Sequence, residues 1–338
     1  MTILNDIFEP TLTPLLRLKP SFLLADGIFS DFERSQFNKK ENIHIYTNRD
    51  SDKSFLAGFL NFYSIFPENK FTIEFTENNN TPVTPLSLIN NLSTKIQHDL
   101  NYLHKENFYS FSNLPDFEYN GNPSDLYIHR NSKIGKLVSI DTTNGPVVID
   151  ENSIISSFST ITGPVYIGKN NRIDRCSISN SRSGNDCRLS GEISDTILGN
   201  FTNKHHEGFL GHSLVGDWVN LGALTTTSDL KNNYGVVYLE FQQKTYSAET
   251  IKFGSIIGDY VKTSIGTMLN TGTIIDLGAL LFSPLKKLKY YPPFFWGGDE
   301  PGRYRIEKFL NDMTKIMARR NQIPSTFLKN QILLYENF

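Results

Sequence analysis

The clearest pattern along the chain is an aliphatic residue at every sixth position. Ile149, Ile155, Ile161, Ile167 and Ile173 keep this interval without a break, and each is followed by Asp, Ser, Thr or Gly. The interval fits neither an α-helix, with a period of about 3.6, nor a strand, with a period of about 2. Three such hexads form one coil of a parallel β-helix, in which each aliphatic side chain stacks on the one a coil away.

The same interval returns in two later segments, at Val215, Leu221 and Thr227 and again at Ile257, Thr263, Leu269, Ile275 and Leu281. The alternative, an ordinary β-sandwich, has strands of period two and would not keep this register. The pattern therefore predicts a mainly β fold, with a parallel β-helix of hexapeptide repeats over residues 121–290.

The segments on either side of the repeats have a different character. Residues 1–120 combine the strand-like stretches "ENIHIYTN" and "KFTIEFT" with "PLSLINNLSTKIQHDLNYL", whose apolar residues recur at helical spacing. We expect a small α/β domain here, joined to the repeats through "DFEYNGNPSDLY", which is rich in Asn, Gly, Pro and Ser. Residues 291–338 contain two helical patterns, "PGRYRIEKFLNDMTKIMARRN" and "PSTFLKNQILLYENF", and are predicted to form a C-terminal helical extension.

Composition narrows the classes of partner and the compartment. The 33 basic and 35 acidic residues leave a net charge of -2, which gives no electrostatic reason to bind nucleic acid or an anionic membrane. Only two cysteines, Cys176 and Cys187, occur, as expected of a reducing compartment. Asp6 and Glu9 interrupt the start of the chain where a signal peptide needs an apolar core, and Asp276 breaks the most apolar stretch, which is too short to span a bilayer. We expect a cytoplasmic protein with small-molecule partners.

Candidate chemistry is concentrated in the stretch "NKHHEGFLGHSLVGDWVNLGALTTTSDLKNNYG", residues 203–235. It holds His205, His206 and His212, three of the seven histidines. A zinc site is one interpretation, but no acidic or cysteine ligand follows at a matching spacing, so no metal is predicted. A hydrolase built on Ser213 is another, but no nucleophile elbow surrounds this serine. Histidine as a general base, or simply as a polar turn residue, remains.

This stretch, the hexads, "IGTMLNTGT", "FFWGG" and "MARRN" together resemble the GlmU-like sugar nucleotidyltransferases over roughly residues 120–325. The C-terminal half of that family is similar to the acetyltransferase half of bacterial N-acetylglucosamine-1-phosphate uridyltransferase. The resemblance implies a left-handed β-helix, a homotrimer, and acyl transfer from a coenzyme A thioester, acetyl-CoA being the expected donor. The implied acceptor is an amino-sugar phosphate or a sugar nucleotide.

The resemblance also assigns the site residues. Aligned on "FLG" and "VGDWVNLGA", the family's catalytic histidine falls on His206, which is then expected to act as the general base. The implied acceptor site contains Asn203, Lys204, Phe209, Asp229 and Lys231, and the implied coenzyme A site contains Ala223, Thr225, Asn233 and Tyr234.

Two departures from the family pattern affect the same ligand. Asp229 stands where asparagine is expected, and an ionised carboxylate accepts hydrogen bonds but cannot donate them. Ser194 stands where a lysine is expected to meet phosphate, and Lys231 is a candidate replacement for that cation. In the N-terminal stretch "TPLLRLKPSFLLADGIFSDFE", Lys19 replaces an expected nucleotide-binding arginine and lacks its bidentate fork.

Three hypotheses follow from these observations. The first is an acyltransferase with His206 as base, working between neighbouring β-helices of a trimer. The second is a sugar-phosphate nucleotidyltransferase that uses the N-terminal domain, which we interpret as reduced, together with Mg²⁺. The third is a non-catalytic trimeric protein that binds sugar nucleotides, and Asp229 and Ser194 are the residues that motivate it.

Overall fold

A long parallel β-helix forms the body of the molecule, with an N-terminal α/β unit and C-terminal helices packed on its outside. The computed structural model describes residues 2–31, 33–34, 43–47, 71–75, 82–109, 116–282, 288–297 and 302–336. The parallel strands of the β-helix are Glu118–Asn120, Leu126–Ile128, Lys133–Ile134, Ser139–Asp141, Val147–Ile149, Ile154–Ile155, Thr160–Ile167, Arg172–Ser183, Arg188–Ser194, Ile197–Leu198, Asn203–Lys204, Phe209–Gly211, Leu214–Val215, Thr226–Thr227, Ser255–Ile257, Lys262–Thr263, Met268–Leu269, Thr273–Ile275, Leu280–Leu281, Tyr290–Tyr291 and Phe295–Gly297.

The strand pairing confirms the predicted β-helix of hexapeptide repeats. Ile155 pairs with Ile173, three hexads further along the chain, and Ile257 pairs with Ile275 in the same way. The aliphatic residues of the hexads point into the coil and form the main core, where nearly all are at most 3% exposed. Stacking these rows buries apolar area at every coil, so the repeat itself supplies the driving force for the fold.

An insertion interrupts the repeats after the third hexad of the middle segment. Val215 pairs with Ile257, which shows that the intervening chain leaves the coil and returns in register. The inserted chain forms an antiparallel hairpin, Tyr238–Phe241 and Lys244–Ser247. One face of this hairpin, including Leu239 and Phe241, is buried against the N-terminal unit.

The N-terminal unit contains a three-stranded parallel sheet and one long helix. The strands Thr2–Asp6, Ile43–Thr47 and Phe71–Phe75 pair in chain order, and the helix runs over Pro85–Asp99. Thr84 and Ser87 form a reciprocal capping box that satisfies the free N–H groups at the start of this helix. The unit also contains the helix Thr13–Leu16 and the 3-10 turns Pro10–Leu12, Ser21–Leu23, Leu100–Tyr102 and Lys105–Asn107.

Two cations attach the N-terminal unit to one corner of the β-helix. Arg17 makes a bidentate ion pair with the fully buried Asp276, at 2.5 and 2.6 Å. Lys19 lies 2.6 Å from a carboxylate oxygen of Asp217 and 3.6 Å from one of Asp259. Burial disfavours a charged Lys19, but the attraction of the two carboxylates outweighs that effect and raises its pKa. These pairs fix where the unit sits.

An aromatic stack at the same corner receives the C-terminal helices, because Trp218 and Tyr260 directly follow Asp217 and Asp259 in their turns. Phe201 stacks on Trp218 at a centroid distance of 4.1 Å, and Trp218 stacks on Tyr260 at 6.2 Å. Phe309, from the helix Ile306–Ala318, meets Tyr260 edge-on at 5.9 Å. The second predicted helix spans Thr326–Leu333. Trp296 contacts Tyr304 at 4.8 Å, so the "FFWGG" segment does fasten the C-terminal region to the coil.

Two sequence expectations need adjustment. The segment predicted as a connection already belongs to the first coil, because Glu118–Asn120 pairs with Ser139–Asp141 and Leu126–Ile128 pairs with Val147–Ile149. The Asn and Gly residues that suggested a linker form the turn between these strands. The β-helix also continues to Phe295–Gly297, past the predicted boundary at 290. The two cysteines are buried free thiols, as expected.

Candidate functional site

The predicted catalytic stretch occupies two corners of the β-helix on either side of one short strand. Phe209–Gly211 is that strand, with His205 and His206 in the turn before it and His212 in the turn after it. The stretch that looks continuous in sequence therefore presents its histidines at opposite ends of a strand.

At the first corner, His205 is held by a carboxylate. Its Nε2 lies 2.6 Å from Oδ2 of Asp174, two coils away, which also accepts hydrogen bonds from Ser156 and from Arg172 Nε at 2.7 Å. Burial alone would raise the pKa of Asp174, but these hydrogen bonds outweigh it and lower the pKa to about 2. His205 is thus tied to an ionised partner.

His206, the predicted base, is exposed at the same corner. Its ring centroid lies 5.9 Å from that of His205. Among the described residues, no side chain or backbone group forms a hydrogen bond with the His206 ring. The imidazole is therefore accessible to a ligand from solvent or from a neighbouring molecule, and only its backbone is fixed.

The contact that holds the His206 backbone comes from Lys204, inside the coil. This lysine occupies an inward position between Leu189 and Leu221 in a row of aliphatic residues, and it is 1% exposed. Its Nζ donates to the carbonyl oxygens of Ser190 at 2.9 Å and His206 at 2.6 Å. Because burial disfavours the charged form, it lowers the pKa of Lys204 to about 8. This ammonium faces the interior and the His206 backbone, so the placement does not support an acceptor-binding role for Lys204.

At the second corner, His212 lies between two carboxylates. Its Nδ1 is 2.7 Å from Oδ2 of Asp229, and its Nε2 is 3.6 Å from Oδ2 of Asp195. Asn180 donates to the other oxygen of Asp195 at 2.7 Å. Asn180, Asp195 and His212 occupy equivalent turn positions on successive coils, and all three have left-handed backbone angles.

Phe209 and Asp229 meet at this second corner. A side chain at Gly211 would overlap the Phe209 ring and would lie 3.1 Å from Oδ2 of Asp229, so glycine leaves room for both. These two predicted acceptor residues are close to each other, with His212 as the partner of Asp229. The carboxylate that stands in place of the expected asparagine is therefore occupied by a histidine of its own chain.

The other predicted acceptor residues lie elsewhere. Asn203 is half-buried on the outside of the strand Asn203–Lys204, where its amide donates to Oδ1 of Asn220 at 2.6 Å. Lys231 lies in the insertion, with Nζ 2.5 Å from the carbonyl oxygen of Val236 and 5.3 Å from the ring centroid of Tyr238. It does not approach Asp229 closely enough to form an ion pair.

The predicted coenzyme A residues fall into two groups. Ala223 is half-buried in a turn of the coil, and Asn233 and Tyr234 are exposed in the insertion, Tyr234 by 67%. Thr225 is 1% exposed, and its hydroxyl meets that of Thr263 at 2.8 Å inside the coil. Ala223, Asn233 and Tyr234 are therefore accessible from solvent, whereas the Thr225 hydroxyl faces the interior of the coil.

Lys19, the predicted nucleotide-binding residue, instead joins the two parts of the chain through its ion pairs with Asp217 and Asp259. Within the part of the chain that the structure describes, no group of three or more His, Cys, Asp or Glu side chains could hold a metal ion. No helix among the same residues has the length and apolarity needed to cross a membrane.

Sequence reasoning missed the carboxylates Asp174 and Asp195 at the two corners. A signal for them does exist in the hexads, since Asp174 follows the inward Ile173 just as His205 follows the inward Lys204. Counting inward residues by coil, rather than reading one stretch alone, would have paired these two positions.

No protein-family model matches the chain. Two solved structures are distant neighbours of this chain. One is AntD, an N-acyltransferase from Bacillus cereus in complex with dTDP and coenzyme A. It is 15% identical, with a TM-score of 0.26, and the match covers 43% of this chain and 91% of AntD. The acetyltransferase domain of PglB from Neisseria gonorrhoeae, in complex with acetyl coenzyme A, is 11% identical, with a TM-score of 0.21, over 70% and 95%. TM-scores this low carry no weight for function.

A sequence match to a curated protein is more specific. The chain is 32% identical over 92 residues to the bifunctional protein GlmU of Methanococcus vannielii. The match covers 27% of this chain and 22% of the relative, so it spans about a fifth of that protein's length. The chain is thus similar in sequence to a part of GlmU.

Proposed function

We propose that the protein is an acyltransferase that uses a coenzyme A thioester, acetyl-CoA in the simplest case, and an amino-sugar phosphate or sugar nucleotide as acceptor. The observation that supports this most directly is the turn at His206. There an exposed imidazole stands on a backbone that a buried ammonium holds in place. The sequence match to a part of the bifunctional protein GlmU agrees with the family resemblance from which this proposal starts.

His206 is proposed to remove the proton from the attacking amine or hydroxyl of the acceptor. A base of this kind must be accessible, and its ring nitrogen must be free to accept a proton. Asp174 and Asp229 each bind one ring nitrogen of His205 and His212 and leave the other nitrogen able to accept a proton, but these side chains are only 30% and 17% exposed and are less accessible than His206. Lys204 then acts as a positioning residue, since it bonds the His206 carbonyl and not the ligand.

A homotrimer with sites between subunits is part of the proposal. Leu224, Ile265 and Met268 are 55%, 72% and 66% exposed. Backbone bonds from Leu224 to Glu207 and from Gly266 to Ala223 place these turns on the two coils that follow that of His206. Exposed apolar side chains grouped in this way favour a protein partner, and a second copy would complete the surface around His206.

The acceptor is proposed to differ from that of the resembled family. Asp229 is bound to His212 and cannot donate a hydrogen bond when ionised, and Ser194 supplies no positive charge. Recognition of phosphate through these two positions is therefore lost. Acceptors should be compared with and without a phosphate group next to the reacting amine.

The test measures coenzyme A release from acetyl-CoA with glucosamine 1-phosphate and a panel of amino-sugar nucleotides. We expect His206→Ala to lower turnover by roughly 10²- to 10⁴-fold, the usual contribution of a general base. His104→Ala, a change at an exposed histidine of the N-terminal unit, is the matched control and should retain full activity. Elution volume in size-exclusion chromatography should show that both variants keep the same assembly.

Three results would redirect the proposal. Magnesium-dependent pyrophosphate release that survives His206→Ala, without acyl transfer, would favour the nucleotidyltransferase alternative. Binding of coenzyme A or a sugar nucleotide with no turnover of any acceptor would favour the binding protein. If activity falls with His212→Ala and not with His206→Ala, the base is at the second corner.

A further inference from the structure

Arg182 interrupts an apolar row on the outside of the β-helix. This row passes in register from Tyr166 to Arg182, Ile197 and Leu214, on the face of the β-helix that we call the third face. Its other described neighbours, such as Ile256, are also apolar and lie under the N-terminal unit. A guanidinium in the middle of this interface needs partners from outside the row, because the Tyr166 hydroxyl already donates to Asp150 and the other members of the row are apolar.

The guanidinium is buried and poorly satisfied. Arg182 is 7% exposed, and its Nε has no hydrogen-bond partner. Its Nη1 reaches the carbonyl oxygens of Ala25 and Leu198 only at 3.4 and 3.5 Å, which are long for hydrogen bonds. Among the described residues, no carboxylate lies within ion-pair distance of Arg182. Buried charges in proteins are normally paired, so this arrangement lacks an anion.

Arg182 lines a cleft of about 470 Å³ between the N-terminal unit and the β-helix. The other ionic groups around the cleft already have partners. Lys19 is paired with Asp217, the Tyr166 hydroxyl donates to Asp150 at 2.9 Å, and Glu33 accepts from the backbone N–H and hydroxyl of Ser30. Lys169, which also lines the cleft, is paired with Glu151 at 3.5 Å, and Glu33 does not come within ion-pair distance of Arg182, so none of these groups supplies the anion that Arg182 lacks.

We propose that this cleft binds a small molecule through a carboxylate or phosphate group held by Arg182. A guanidinium binds either oxyanion with two parallel hydrogen bonds, and burial strengthens such bonds. The ring of Tyr166, whose centroid is 5.6 Å from the guanidinium carbon, and the side chain of Ile197 offer apolar surface to the rest of the molecule. Because the N-terminal unit and the coil both line the cleft, the ligand would hold them together.

The site is separate from the proposed acyl-transfer corner. Arg182 lies on the third face, under the N-terminal unit, whereas His206 lies in the turn before Phe209–Gly211 on another face. Binding in the cleft can therefore be measured without turnover. A failure of the acyltransferase proposal would leave this inference intact.

The experiment uses the full chain and compares wild type with Arg182→Leu, which continues the apolar row. Thermal unfolding is followed with sodium phosphate, sodium succinate and uridine monophosphate, against sodium chloride at the same ionic strength. At least one of the three anions should raise the wild-type Tm, and its affinity by calorimetry should fall roughly tenfold or more in Arg182→Leu. Without anion, Arg182→Leu should unfold at the wild-type Tm or above it, because an unpaired buried charge is gone. Arg188→Leu, an outward arginine on a neighbouring face, should keep the wild-type response.

The three anions separate the sources of the group. A rise in Tm with succinate alone shows that the site binds a carboxylate. A rise with both phosphate and the nucleotide shows that it binds a phosphate group. A rise with the nucleotide alone shows that the apolar surface contributes to binding. If none of the anions raises the wild-type Tm, or if Arg182→Leu lowers the anion-free Tm while the anion response persists, the inference is overturned.

Discussion

The buried ammonium of Lys204 leads to a prediction about stability and pH. Lys204→Met keeps the length of the side chain and removes the charge from the row between Leu189 and Leu221. Burial lowers the pKa of Lys204 from 10.5 to about 8 in the folded protein. Between these two values the unfolded chain binds more protons at this site than the folded chain does, so the free energy of unfolding rises with pH.

The magnitude follows from the two pKa values. A difference of one in pKa corresponds to about 1.4 kcal/mol, so this site should add about 3 kcal/mol to the wild-type free energy of unfolding between about pH 8 and pH 10.5. Below about pH 8 that contribution is absent, because the lysine is protonated in both states. Cys176 and Cys187 oppose this trend, since burial raises the pKa of each thiol to about 12. The contribution of Cys187 cancels when variant and wild type are subtracted, whereas Cys176 interacts with Lys204 and cancels only in part.

The assay is urea unfolding at several values from about pH 7 to about pH 10.5. The wild-type free energy of unfolding minus that of Lys204→Met should rise by about 3 kcal/mol across this range. Lys133→Met, at an exposed lysine on the same face, controls for the loss of one charge. A difference between wild type and Lys204→Met that stays constant with pH would refute the assignment of a buried, weakly basic lysine.

Three further changes test the structural framework. Arg17→Leu leaves the buried carboxylate of Asp276 without its bidentate partner and should destabilise the fold by about 3–5 kcal/mol in urea unfolding; an unchanged midpoint would contradict the ion pair. Gly208→Ala places a Cβ against the Thr225 carbonyl at a φ of +130°. The resulting shift of the neighbouring turn should reduce both the Tm and the rate of acyl transfer. Wild-type values of both would rule out this close approach. Trp218→Ala removes the centre of the aromatic stack and should cost about 3–5 kcal/mol; a loss below about 1 kcal/mol would show that the stack does not support the C-terminal helices.

The regular part of the fold was accessible from sequence because its physics is local and repeated. Each hexad places one aliphatic residue inward, and the next coil repeats the pattern, so Ile155 and Ile173 could be paired by counting. The two C-terminal helices were accessible for a similar reason, since Ile306, Phe309 and Met313 recur at helical spacing and are buried. The departures from the repeat were harder to interpret. Lys204 occupies an inward position, yet the family resemblance assigned it to the acceptor site.

The candidate site was predictable only in part. The sequence directed attention to residues 203–235, but it could not divide the three histidines between two corners. That division depends on where the coil turns, at Gly208 before the strand and at His212 after it. Nor could it give His205 the partner Asp174, because the two residues meet only when two coils are stacked.

By itself, the sequence determined the period of the coil, its aliphatic interior and the helices that follow, because each of these depends on side chains a fixed number of residues apart. Only the tertiary structure decided which histidine is free and which are bound to carboxylates. It alone also placed the N-terminal unit against the third face, where Arg182 is buried in an otherwise apolar row. These features depend on contacts between distant parts of the chain, and the energy of a charge depends on the groups around it rather than on its neighbours in sequence.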